Sequence, residues 1–232
     1  MKLHRFYIKG HDLPEEGEVT ILSEKLTYQM HKVLRLRMGE SVILFNGDGN
    51  EYLSRIVAYG KKGEVRVHIE NVSPNDTSFS KELYLFFSLI KKDNMEWILQ
   101  KGTELGVSHF IPIISTRSEK KDINVERAEK ILIEATEQCG RKIEPRLHPV
   151  MKLESGFDFN IPMIVFEPGT EPLNKETFSG ETAIGLLIGP EGGWTEEELT
   201  LFENKKAAFR SLGTTTLRAE TAAITASALL LS

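Results

Sequence analysis

From Leu83 to the C-terminus, short apolar runs alternate with segments whose apolar residues recur at helical spacing, and this alternation constrains the fold more than any other feature of the chain. The runs predict strands over 83–89, 110–114, 162–166, 183–188 and 207–212. Helices are predicted over 94–105, with Met95, Ile98, Leu99 and Gly102 on one face, and over 125–139. The second buries Ala128, Ile131, Leu132, Ala135 and Cys139 and stops at Gly140. Two more helices are expected near 196–202 and 220–231. Strand and helix in turn specify an α/β domain with a largely parallel sheet, a fold that places its ligands at the C-terminal ends of the strands.

The first third of the chain has a different grain. Ser23 is placed to cap a short helix carrying Leu26, Met30, Val33 and Leu34 on one face, with Lys32 and Arg35 on the other and Gly39 at its end. Strands are expected over 41–45, 52–59 and 65–69, joined by the turns Asn46-Gly47-Asp48-Gly49 and Gly60-Lys61-Lys62-Gly63, which is the pattern of a small β-barrel. The polar, turn-rich stretch 72–80 has no periodicity and is the expected domain boundary.

Charge separates the same two regions. Residues 1–73 carry 11 Lys and Arg against 10 Asp and Glu, and residues 74–232 carry 18 against 24. The stretch 25–39 holds Lys25, His31, Lys32, Arg35 and Arg37 with no acid, a local basic patch that is either a solvated face or a contact for RNA. A lone cysteine, Cys139, allows no internal disulfide and no cysteine-rich zinc site. No apolar run approaches the roughly 20 residues that span a bilayer, and the start lacks a signal-peptide core. The expected compartment is therefore the cytoplasm, with no membrane partner and no metal.

Two glycine-bearing loops follow predicted strands and open predicted helices. In Ile188-Gly189-Pro190-Glu191-Gly192-Gly193-Trp194, the proline and the glycines permit a sharp turn and a close backbone approach to a ligand. Thr195 and Glu198 have the spacing of a capping box for the helix that follows. No Lys-Ser/Thr follows the glycines, so this is not a P-loop, and Glu196, Glu197 and Glu198 would repel a phosphate. The loop suits a neutral or cationic ligand, or is a tight turn that binds nothing. The second loop, Leu212-Gly213-Thr214-Thr215-Thr216-Leu217-Arg218-Ala219-Glu220-Thr221-Ala222, sets Arg218 and Glu220 beside a helix rich in small residues. The pair is either chemical or structural.

Taken together these motifs resemble the bacterial 16S ribosomal RNA uridine N3-methyltransferase family, a branch of the SPOUT class. The similarity runs the length of the chain: Arg5-Phe6, His31-Lys32-Val33-Leu34-Arg35, Lys91-Lys92-Asp93-Asn94-Met95-Glu96, Lys101-Gly102-Thr103-Glu104-Leu105-Gly106-Val107, the stretch 115–118, Glu137-Gln138-Cys139-Gly140-Arg141 and both loops. One departure is visible: Thr214-Thr215-Thr216 stand where the family usually carries an arginine and a second apolar residue before Leu217-Arg218.

The resemblance implies a PUA-like RNA-binding β-barrel over 1–73, a linker over 74–80, and a SPOUT methyltransferase domain over 81–232 whose last helix threads a trefoil knot. It implies S-adenosylmethionine as cofactor, held by Glu167, Ile188, Gly189, Pro190, Glu191, Gly192, Gly193, Leu212, Gly213, Leu217, Thr221 and Ala222, with Phe166 and Pro168 in a third wall. Arg218 and Glu220 are the implied catalytic pair, Arg218 favouring the uridine anion and Glu220 orienting it or taking the N3 proton. Arg5, His31, Lys32, Arg35, Arg37, Lys91, Lys101, Arg117 and Arg141 are the implied RNA contacts; Lys91, Lys101, Arg117 and Arg141 have Glu96, Glu104 and Glu137 as alternative, purely structural partners. The implied partners are 16S ribosomal RNA in the small ribosomal subunit and a second copy of the chain, not DNA. A SPOUT methyltransferase acting on another RNA and a non-catalytic RNA-binding protein are the competing readings.

Overall fold

The computed structural model describes residues 3–74 and 81–231. It contains two compact units, Met1–Ser78 with Thr136–Ile143, and Phe79–Ala135 with Glu144–Ser232. The linker expected over 74–80 lies, apart from Pro74, outside the described residues.

The first unit is a five-stranded sheet in the order β1 (Arg5–Tyr7), β3 (Ser41–Phe45), β4 (Glu51–Tyr59), β5 (Glu64–Ser73), β2 (Gly17–Leu22). β1 runs parallel to β3 and the other pairs are antiparallel. All five strands send alternate side chains into one cluster: Phe6, Ile21, Val42, Leu44, Tyr52, Ile56, Val65, Val67 and Ile69. A single sheet that supplies both walls of its own core is barrel-like, although β1 and β2 at its two ends are not paired among the described residues. Two irregularities in the β4–β5 register, at Leu53/Ser54 and Ile56/Ala58, help it bend. The segment Thr136–Ile143 belongs to this unit: the Glu137 carboxylate accepts the Tyr7 N–H at 2.9 Å, and the Lys142 amine donates to the Pro74 carbonyl at 2.6 Å.

The helix expected after Ser23 forms and then changes character. Ser23 caps α1 (Glu24–Tyr28) by accepting the Leu26 N–H, but Gln29–Val33 winds as a π-helical turn in which the Leu34 N–H reaches back to the Gln29 carbonyl. The wider turn leaves Leu26 and Met30 buried and Val33 60% exposed, so Val33 is not on the core face. The helix ends at Val33 with Leu34 as its cap, the chain then turning at Arg35 with φ +57°, and not at Gly39.

The second unit is built on a seven-stranded sheet in which every described pairing is parallel. Its order is β12 (Ala208–Arg210), β10 (Met163–Phe166), β11 (Ala183–Ile188), β6 (Glu82–Ser88), β7 (His109–Ile114), with the two-residue strands β8 (Arg146–Leu147) and β9 (Met151–Lys152) both on β7. α2 (Lys92–Leu105), α3 (Val125–Cys139) and α5 (Ala219–Leu231) pack with one face of the sheet, around Leu83, Leu85, Phe87, Ile98, Leu99, Ile131, Leu132, Ala223 and Ala226. The other face takes α4 (Glu196–Asn204), Trp194 and Phe202. Gly102 fixes how closely α2 approaches β7, because a Cβ there would stand 2.7 Å from the Phe110 ring. Cys139 is exposed and not buried: α3 buries Ala128, Ile131, Leu132, Ala135 and Thr136, and burial ends there, three residues short of Cys139. Among the described residues no helix is long and apolar enough to cross a membrane.

Candidate cofactor and RNA sites

Because β12, β10 and β11 are parallel neighbours, the loops that follow them leave one edge of the sheet side by side. They enclose a cavity of about 470 Å³. Its walls are Phe166, Glu167 and Pro168 after β10, Ile188 to Trp194 after β11, and Ser211, Leu212, Gly213, Thr215, Thr216, Leu217, Arg218, Ala219 and Ala222 from the end of β12 into α5. Every residue expected to hold the cofactor is on this wall except Thr221, which is exposed. The reason is helical: positions 219 and 222 share a face and 221 points elsewhere. The unusual Thr215 and Thr216 are also lining residues, so the departure from the family pattern falls on the wall itself.

The walls are tied together from behind. After β10 and β12, the Glu167 N–H donates to the Arg210 carbonyl at 3.1 Å, the Ser211 N–H to the Glu171 carbonyl at 2.8 Å, and the Ser211 hydroxyl to the Thr170 carbonyl at 3.0 Å. After β11, the Gly193 N–H closes a turn onto the Pro190 carbonyl. Glycine at 189 has a local reason: a Cβ there would stand 3.0 Å from the buried ring of Trp194, which would have to shift by a few tenths of an ångström.

The expected capping box is present, with the Thr195 N–H donating to Glu198 at 2.8 Å and the Glu198 N–H to the Thr195 hydroxyl at 3.3 Å. The other Glu198 oxygen accepts the Thr116 N–H at 2.8 Å, so this buried carboxylate joins the glycine loop to the loop after β7. Arg117 makes a second tie. Its guanidinium donates to the Gly192 carbonyl at 2.6 Å and to the Trp194 carbonyl at 3.2 Å. Sequence reasoning placed Arg117 against RNA or a glutamate, and nothing in its local pattern signals this contact with a loop far along the chain.

Charge at the cavity matches the sequence expectation. Glu167 and Glu191 line it with Arg218 as the single lining cation among the described residues, and Glu196 and Glu197 are exposed beyond the loop. Burial, then the charge of Glu196, raises the Glu167 carboxyl above its ordinary range. Among the described residues of this unit, two side-chain polar atoms are buried without a hydrogen-bond partner: Nε1 of Trp194, a lining residue, and Oε2 of Glu220, which is not one. Among the described residues, no three His, Cys, Asp or Glu side chains group to hold a metal ion.

The expected RNA contacts divide sharply. His31, Lys32, Arg35 and Arg37 are exposed on the first unit, and the three cations among them have no ion-pair partner in the described residues. Arg5 is a correction. Its side chain is 9% exposed, it is paired with Glu51, and it donates to the Arg141 carbonyl at 3.2 Å, so it braces the unit from within. Arg141 is also drawn inward, and burial pushes its guanidinium down to about 10. Lys101 takes the structural alternative, donating to Glu104 at 2.8 Å. Lys91 remains exposed at the N-terminus of α2.

Comparison with known proteins decides the family. A family model described as an RNA methyltransferase domain matches residues 77–231, and one described as an RNA methyltransferase PUA domain matches residues 30–70. The ribosomal RNA small subunit methyltransferase E of Rickettsia conorii is 32% identical, the alignment covering 97% of this chain and 94% of that one. The chain belongs to the ribosomal RNA small subunit methyltransferase E family. Its Bacillus subtilis member is 29% identical over 90% of this chain and 88% of its own length. The Neisseria gonorrhoeae member, solved bound to S-adenosylmethionine, superposes with a TM-score of 0.89 at 28% identity, covering 98% of this chain and 96% of that one. A Legionella pneumophila protein solved with the same cofactor superposes with a TM-score of 0.88 at 31% identity, covering 99% and 97%.

Proposed function

We propose that this chain is an S-adenosylmethionine-dependent methyltransferase that modifies N3 of a uridine in 16S ribosomal RNA of the small ribosomal subunit. The observation that carries the reading is the three-loop cavity: backbone-built, acidic outside Arg218, and with the buried N–H of Trp194 lacking an acceptor. These residues fit S-adenosylmethionine, whose sulfonium is cationic, far better than a phosphate ligand. When bound, that group supplies an activated methyl for in-line transfer to a nitrogen.

The chain's own part is positioning and charge. Uridine N3 carries a proton, and its lone pair is nucleophilic only after that proton leaves. Arg218, exposed at the start of α5 and on the cavity wall, is placed to contact the uracil carbonyl oxygens and stabilise the anion. The orphan oxygen of Glu220 needs a donor, and the reacting complex offers two, the Arg218 guanidinium and the N3–H. Glu220 is therefore either the group that orients Arg218 or the proton acceptor. N3 lies on the Watson–Crick edge, so the base must be unpaired or flipped to enter.

The same reading assigns 1–73 to RNA binding, 74–80 to a linker and 81–232 to methyl transfer in the SPOUT class, working in the cytoplasm. A threaded C-terminus is supported by the path of the chain: β12 lies at the edge of the sheet beside β10, whereas α5 returns to pack on α2, β11 and β6. A homodimer is supported by exposed apolar side chains on that same helix pair, Trp97 of α2 and Leu229 of α5.

The test is to incubate the protein with labelled S-adenosylmethionine and unmodified small-subunit particles or 16S ribosomal RNA, and to map the label. Methyl at N3 of one uridine is expected. Label on another base or at another atom of the base, or no transfer with intact cofactor binding, would reject the assignment.

A further inference from the structure

We infer that the stacked rings of His31 and Tyr59 on the first unit form a docking platform for an unpaired nucleobase of the RNA substrate, an inference that rests on the RNA reading above. The two rings lie 4.6 Å apart between centroids and within 16° of parallel. Tyr59 is the fixed partner: half-buried, its hydroxyl donates to the Leu36 carbonyl at 3.1 Å. His31 is the outer ring, on an exposed residue. A third flat ring laid on His31 would continue the stack, and every nucleobase has such a face.

The backbone beneath is shaped to present this ring. Leu26 and Met30 anchor the helix in the core, while the π-helical turn over Gln29–Val33 and the positive φ of Arg35 turn His31, Lys32, Val33 and Arg35 outward. π-helical turns and left-handed non-glycine residues concentrate at functional sites, and here both occur within seven residues, 29–35. Lys32, Arg35 and Arg37, exposed within six residues of His31 and with no ion-pair partner among the described residues, are suited to the phosphates that flank a stacked base. Glu40, whose charge acts on the Tyr59 hydroxyl, accepts the Arg37 N–H at 2.8 Å on its carboxylate and is thereby held against its own turn.

Stacking and phosphate contact leave different marks on salt dependence. Losing a phosphate contact flattens the slope of log affinity against log salt by about 0.7 for single-stranded RNA, whereas losing a stack lowers affinity equally at every salt concentration. The experiment is a salt titration of binding between the full chain and a 16S ribosomal RNA fragment with an unpaired segment, using His31→Gln, His31→Phe and the double variant Arg35→Gln/Arg37→Gln. We expect His31→Gln to weaken binding at least fivefold with an unchanged slope, His31→Phe to restore it, and the double variant to flatten the slope. The His31→Gln loss should vanish on a fully paired duplex, with melting temperature and S-adenosylmethionine affinity unchanged. A changed slope for His31→Gln, failure of phenylalanine to restore binding, or a loss seen on assembled particles but not on naked RNA would overturn the inference, the last pointing to a ribosomal protein as occupant. If the wild type itself neither binds nor methylates 16S ribosomal RNA, the functional reading fails and not the platform alone.

Discussion

The two surfaces that carry the proposed chemistry are made by opposite means. At the sheet edge, a cavity is formed largely by backbone, and its side chains act mostly from behind: Glu198 and Arg117 hold the glycine loop, Ser211 holds its neighbour, and Trp194 fills the space Gly189 leaves. On the first unit, the working groups are side chains that project into solvent from a distorted turn held by buried Leu26 and Met30. A backbone-built site tolerates replacement of lining side chains and fails when the loop shifts. A side-chain-built site keeps its shape on replacement and loses one contact at a time.

The largest departure from this contrast is expected at Arg218, the one cation on the cavity wall among the described residues. Arg218→Ala should lower turnover about 10²–10³-fold, the usual consequence of removing a donor to an oxyanion. Its S-adenosylmethionine affinity should stay within about threefold, because backbone and the other walls hold the cofactor. Single-turnover methylation and calorimetry measure the two separately. Near-normal turnover would remove Arg218 from the chemistry.

Arg117 offers a second, smaller break. The sequence places it among the RNA contacts, yet its guanidinium is spent on the carbonyls of Gly192 and Trp194. Losing a charged donor to two carbonyls on a partly exposed loop should cost about 1–2 kcal/mol, and we expect Arg117→Ala to weaken S-adenosylmethionine binding about tenfold. The salt slope of RNA binding should not change. A flattened slope with intact cofactor affinity would return Arg117 to the RNA face.

How far the sequence could be read follows the same division. β3, β11 and α3 match their expected bounds to the residue, because each is a periodic run closed by a turn residue or glycine. The cavity was legible because glycine loops after parallel strands have one place to go. β8 and β9, two residues each, are too short to carry a period. The π-helical turn left no mark because it depends on the burial of Met30 and Leu36, a tertiary condition. The fate of a cation was legible only where its partner was local. Glu104 lies three positions from Lys101 on one helix face, whereas Glu51 is 46 positions from Arg5 and Gly192 is 75 from Arg117. Arg5 and Arg117 look like surface arginines in sequence and are built into the fold.

The smallest expected effect tests whether the acidic character of the cavity contributes to cofactor binding. Burial and Glu196 raise the Glu167 carboxyl, so the folded protein holds this proton more tightly than the unfolded chain does. For an acid shifted upward, the charged form is a burden on the native state at neutral pH. That burden is relieved as pH falls through the raised value, so Glu167 alone makes acidification stabilising. A cationic cofactor reverses the sign, because it favours ionised Glu167 and loses that partner on protonation. Affinity for S-adenosylmethionine should therefore fall as pH drops through the upper carboxylate range, while the Glu167 contribution to stability rises. The contact is only partly buried, so Glu167→Gln should weaken binding at pH 7 by no more than about fivefold, the scale of an exposed ion pair. The difference between the variant and wild type should disappear under acid conditions. If the two differ by the same factor at every pH, Glu167 acts through shape alone, and the wall after β10 is as indifferent to charge as the backbone on either side of it.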